Sequence, residues 1–223
     1  MNQKLGNIGS TVEFVKAEDT SKSVANLKTL AEDLAGGKVN NLIILGGNPV
    51  FDGPRDVDLA AAIKGVNSSL HLSMYKNETS LCCKWIGNLA HPLETWTDGR
   101  SADGTHCIGQ PLIRTLFDGR SEIECLATIL GSEVKEGMEI VKASLGADET
   151  NWNRAVHNGF VADSAVAAVS VSAGQAAAPA ADDTWKTGWD GSTIEVVFAP
   201  SLGVYDGRFA NNAWLQELSL IHI

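Results

Sequence analysis

The sequence predicts an α/β fold, a mostly parallel sheet with helices on both faces. Residues 41–54 read NLIILGGNPVFDGP, a short apolar run cut off by glycines, as a buried parallel strand would be. Helical and strand patterns alternate from residue 21 to residue 89, the signature of βαβ units. Of the 223 residues, 44% are hydrophobic. A chain of that size hides roughly 70% of its unfolded surface.

Taken in order, residues 11–15 (TVEFV) read as a strand within an irregular start. Ser21 is placed to cap a helix whose apolar residues Val24, Leu27, Leu30, Ala31 and Leu34 keep helical spacing. Gly36 and Gly37 stop it. The strand at 42–45 follows, then Asp56 opens a helix through DLAAAIK that ends at Gly65. Residues 69–74 (SLHLSM) form the next strand. Asn77 caps a short helix, and residues 85–89 form a further strand. The stretch 91–110, HPLETWTDGRSADGTHCIGQ, is polar, glycine-rich and long for a connection, and long loops without structure of their own are usually functional or disordered.

Ser121 with Glu124 makes a capping box, ahead of a helix whose apolar stripe is Ile123, Leu126, Ile129 and Leu130. Helices are expected at 138–145 and 150–158. Residues 1–160 therefore read as one α/β domain with a nucleotide-type crevice. Residues 161–188 are alanine- and serine-rich and read as a mobile loop or linker. Residues 189–217 hold the last strand, 192–199 (STIEVVFA), and the start of a following segment.

Net charge is −10, which argues against a nucleic-acid backbone as partner. No apolar run reaches the roughly 18 residues a membrane span needs, and MNQKLGNIGS lacks the build of a secretory signal. The four cysteines, Cys82, Cys83, Cys107 and Cys125, include no Cys-x-x-Cys pair, so no metal site is expected. No catalytic residue is expected either.

The candidate site is the loop after the first central strand. Gly46 and Gly47 can take angles closed to other residues and admit a ligand close to the main chain. Asn48 suits a turn, and Pro49 keeps Asn48 out of helical angles. In open α/β sheets ligands occupy the crevice beyond the carboxyl ends of the strands. The plain alternative is a strand-to-helix turn that binds nothing. Other residues have structural readings: His71 as a core histidine, Arg100 and Asp103 as ties within their own loop, and His91 with Glu94 as a local pair around Pro92. The tryptophans, Trp85, Trp96, Trp152, Trp185, Trp189 and Trp214, read as packing and interface residues.

ILGGNPVFDGP, then a helix, a strand and NET, then a glutamate-containing loop with an Asp-Gly pair, resembles the molybdopterin oxidoreductase superfamily. LGNIGSTV, HPLETWTDGRSADGTHCIGQPLI and DGRFANNAWLQEL look closest to one cofactor-poor branch, the large iron–sulfur subunit of alternative complex III. The likeness covers residues 5–160 and 190–218. By position it implies Gly46, Gly47, Asn48 and Pro49 as a former nucleotide loop. It also implies Glu78 and Thr79 as the Glu-Thr pair, Glu94 as the acidic residue before the long loop, and Asp103 with Gly104 as the acidic-Gly pair.

Cofactor-bearing members follow that last pair with an arginine and usually a glutamine. Thr105 and His106 stand here instead, which counts against molybdopterin. The resemblance further implies a scaffold role in a quinol-oxidising electron-transfer complex, with other subunits of that complex as partners. It places the chain on the periplasmic side of the bacterial inner membrane. Iron–sulfur clusters would belong to a cysteine-rich part further along. On this reading the chain is a fragment that begins mid-domain, and 218–223 (LSLIHI) is read-through sequence. The alternative is a catalytic fragment that holds a bis-pterin guanine dinucleotide molybdenum cofactor. An ordinary guanine-nucleotide-binding domain is a third reading.

Overall fold

The computed structural model describes residues 1–16, 26–171, 196, 199 and 201–216. The expected cap Ser21, most of the strand 192–199, most of the 161–188 segment, Trp185, Trp189 and 218–223 lie outside them. The chain divides into two compact units, one of Met1–Glu18 with Val166–Ser201, the other of Asp19–Ala165 with Leu202–Ile223.

In the first unit the expected strand at 11–15 does not form as a regular strand. It makes isolated bridges, Ile8 with Val12 and Val15 with Ala168.

The second unit is built on a three-stranded parallel sheet in the order β1 (Asn41–Leu45), β2 (Ser68–Ser73), β3 (Trp85–Asn88). Register runs from Asn41 opposite Ser68 to Leu45 opposite Leu72, and from Leu70 opposite Trp85 to Ser73 opposite Asn88. Helix α1 (Leu27–Ala35) buries Ala31 and Leu34, and its cap is Asn26, whose side chain accepts from the Thr29 N–H. The one-turn helix α2 (Pro49–Asp52) starts at Pro49, where a missing N–H costs nothing. Helix α3 (Leu59–Gly65) is capped by Asp58, not Asp56, and buries Leu59 and Ile63. Asn77 caps α4 (Glu78–Cys82) as expected.

Both sheet faces carry helices. On one, α4 brings Ser80 to within 2.9 Å of His71. On the other, Leu70 and Leu72 share a groove with Cys125, Thr128 and Ile129 of α5 (Glu122–Ile129). The expectation of a buried first strand fails, because β1 is a sheet edge and Ile43 is 42% exposed.

The 91–110 stretch is ordered as a 3₁₀ turn (Pro92–Glu94) and an antiparallel hairpin of β4 (Thr97–Arg100) and β5 (His106–Gly109). This corrects its reading as an irregular loop. The hairpin packs with α6 (Gly137–Leu145) and α7 (Glu149–Asn158) around Ile108, Val141, Trp152 and Ala155. Trp96 stacks obliquely on Trp152, with ring centroids 5.7 Å apart. The capping box at Ser121 forms, but the expected apolar stripe of α5 is half open, with Leu126, Ile129 and Leu130 exposed.

Candidate functional site

The Gly46–Pro49 turn stands at the carboxyl end of β1, where the sheet-crevice rule puts it. Its first amide still belongs to the sheet, with the Gly46 N–H donating to Leu72 O at 2.8 Å. Both glycines have positive φ, +68° and +71°. A Cβ at residue 46 would meet only Glu122 Oε1, at an ordinary contact distance of 3.5 Å, so it is the backbone angle that calls for glycine here.

Asn48 is the centre of the site and is 1% exposed. Its Nδ2 donates to Glu78 Oε2 at 2.7 Å and to the Asp206 carbonyl at 2.9 Å. Its Oδ1 accepts from Thr79 Oγ1 at 2.8 Å and from the Thr79 N–H at 3.2 Å. Thr79 Oγ1 in turn accepts from the Val50 N–H at 3.1 Å. Every hydrogen-bonding position of the buried amide is therefore taken by protein, as burial demands.

The structure thus brings together Gly46, Gly47, Asn48, Pro49, Glu78 and Thr79 and adds a segment that sequence reasoning missed. Asp206 and Arg208 form a fork, Nε to Oδ1 and Nη2 to Oδ2, both at 2.8 Å. The Arg208 guanidinium lies 5.1 Å from the Tyr205 ring centroid and 5.8 Å from that of Tyr75. Gly207, at φ +94°, lets the chain pass over the Phe51 ring. The DGR triplet at 206–208 was no specific signal, since DGR also stands at 118–120 and at 98–100, where Asp98 bonds His106 and Arg100 bonds Gly104.

Charges follow these contacts. The Asn48 amide holds the Glu78 carboxyl below the usual carboxylate range. Arg208 does the same to Asp206, while burial, with Asp206 nearby, pushes Asp52 up. His71 is fully buried. Burial drives its ring pKa down against an opposing pull from the Gly46 and Gly47 main chain. Its Nε2 has no hydrogen-bond partner among the described residues.

Asp103 and Gly104 are not part of this rim. They form the tip of the β4–β5 hairpin, where Asp103 Oδ1 accepts from the Ser101 hydroxyl and from the Thr105 N–H. Arg100 closes the same tip by donating to Gly104 O at 3.0 Å. Glu94 accepts from the His91 N–H, and the His91 ring accepts from the Leu93 N–H, which makes this pair a cap. Among the described residues, no group of three or more His, Cys, Asp or Glu is placed to hold a metal ion.

A pterin guanine dinucleotide needs donors aimed at a diphosphate. The side chains here do not fit that need. Carboxylates of Glu78 and Glu122 flank the turn, Asn48 and Thr79 are engaged with each other, and Arg208 is held by Asp206.

No protein-family model matches the chain, and no curated protein matches it. No helix among the described residues is long and apolar enough to cross a membrane.

Proposed function

We propose that this chain is a cofactor-free scaffold domain of a membrane-associated, quinol-oxidising electron-transfer complex, similar to the large iron–sulfur subunit of alternative complex III. The observation that carries the reading is the self-saturation of the Asn48 amide by Glu78, Thr79 and the Asp206 carbonyl. A loop shaped like a nucleotide cradle here ties three chain segments together. Its role is then positional, holding other parts of the subunit and its partners on the extracytoplasmic face so that electrons from quinol can travel.

One observation favours the molybdopterin or guanine-nucleotide reading: the main-chain N–H groups of Gly47 and Asn48 take no hydrogen bond among the described residues. Two free amides in a glycine turn suit a phosphate oxygen. The readings separate by metal and pterin analysis of the full-length protein, together with titration of this chain with GDP. The scaffold reading expects molybdenum and pterin far below one per chain and no saturable GDP binding. Stoichiometric molybdenum, or GDP shifting the Gly47 and Asn48 amides to saturation, overturns it.

A further inference from the structure

The parallel sheet has an open side at β1. The Ser68 N–H donates to Asn40 O at 3.0 Å and the Gly46 N–H to Leu72 O at 2.8 Å, so the even-numbered residues from 40 to 46 turn their main chain toward β2. In a parallel ladder the residues between them turn theirs the other way. The N–H and C=O groups of Asn41, Ile43 and Leu45 therefore point away from the sheet, and none has a hydrogen-bond partner among the described residues.

Nothing within the strand guards this edge. Exposed edges are ordinarily blunted by charge, proline or a bulge, yet NLIIL holds no charged residue, no proline and no glycine. Ile43 is more than one-third exposed. Leu70 stands opposite it on β2, and Trp85 opposite Leu70 on β3, so the three side chains make one apolar row on a single sheet face.

We infer that β1 pairs with the β1 strand of a second copy of this chain, antiparallel, about a two-fold axis at Ile43. In that register Ile43 faces the partner's Ile43, and Asn41 faces the partner's Leu45. Each outward N–H then meets an outward C=O. Side chains directly opposite share a face, so the two isoleucines cover each other and the apolar row continues from one sheet into the next. Charge fits the same register. Lys38 precedes β1 with a side chain 72% exposed, and Glu122 stands beside Gly46 just past the strand. The two-fold turns the Lys38 end of each strand toward the Gly46 end of the other, which sets lysine near glutamate twice. A parallel copy would set lysine beside lysine. Lys38 also bonds Asp33 at 2.8 Å, and its ammonium keeps donors to spare. A five-residue edge buries far less than the ~1,600 Å² of a standard interface, so a Kd on the order of 10–100 μM is expected. The pairing is independent of the scaffold reading, and a molybdenum assay has no bearing on it.

The test is sedimentation equilibrium of the full chain from roughly 5 to 500 μM, with amide exchange followed by NMR over the same range. The mass should rise toward twice that of the chain, and exchange at the Ile43 and Leu45 amides should slow as the dimer fills. Ile43→Lys and Ile43→Glu each set like charges opposite one another and should weaken association at least tenfold. Mixed one to one, the two variants should associate again, because the axis pairs position 43 with itself. Asn41→Pro removes an outward N–H from each copy and spares the ladder to β2. It should weaken association about tenfold, and it decides the matter if a charge at 43 unfolds the chain. A monomer at every concentration overturns the inference; a protected Ile43 amide in that monomer would assign the edge to another stretch of the same chain. A dimer indifferent to these substitutions, or no recovery on mixing the folded variants, overturns it as well.

Discussion

Replacing Asn48 with alanine removes an amide whose donors and acceptor are all engaged, and it strands the Asp206 carbonyl and the Thr79 hydroxyl. A stability loss of about 2–4 kcal/mol in urea unfolding is expected, on the scale of stranding several buried partners at once. A loss under about 0.5 kcal/mol would mean that water substitutes for the amide. His71 gives a pH test. Its folded pKa is depressed from 6.5 by burial, so the unfolded chain binds the extra proton first. Stability from this group is complete above pH 6.5 and declines below it, at no more than ~1.4 kcal/mol per pH unit. His71→Leu should flatten that decline while lowering stability at pH 7.5. At the hairpin tip, Ser101 and Thr105 hold Asp103 down to about 2. An NMR titration should place its midpoint there, and Ser101→Ala should move it back toward the ordinary carboxylate range. The positive φ of Gly46 and Gly47 was legible because two glycines follow an apolar run. The partners of Asn48 were not, since nothing local announces a carbonyl 158 residues away.

Among the elements, α5 shows how far a local signal reaches. The Ser121–Glu124 box is visible in sequence, and its second effect is not: Glu124 Oε1 also accepts from the Gly137 N–H at 3.0 Å, tying α6 to the start of α5. Glu124→Ala should cost about 1–2 kcal/mol and speed amide exchange at Gly137 and through the first turn of α6. Unchanged exchange there would show that the tie contributes nothing. Helix starts at Asn26 and Asp58 were displaced in the sequence reading because serine, aspartate and asparagine recur upstream, and the choice depends on which turn first buries an apolar side chain. The β4–β5 hairpin was missed for a related reason. TDGR and HCIG show no apolar alternation, and their register is set by polar bonds across residues 100–105.

For the whole molecule, the composition promised a large core, and the second unit has buried clusters on the sheet and between the hairpin, α6 and α7. Trp152 belongs to the latter at 5% exposure, whereas Trp85 on β3 is 69% exposed. Trp152→Ala should cost about 3–5 kcal/mol and Trp85→Ser less than about 0.5 kcal/mol in the same urea assay. Comparable losses would contradict this division. The alternation of strands and helices was legible because the 3.6 and 2.0 periods of burial are written locally. The arrangement of the rim was not, because it depends on three stretches far apart in the chain.

That separation has a consequence for how the protein comes into being. The bond from Asn48 to the Asp206 carbonyl joins positions 158 apart, an interval that takes roughly 8–32 s to synthesise at ordinary ribosomal rates. Until the later segment emerges, a nascent chain has its glycine turn and the first turn of α4 in place with one donor of the amide facing water. The last stitch of the rim is drawn only after Asp206 itself has cleared the ribosome.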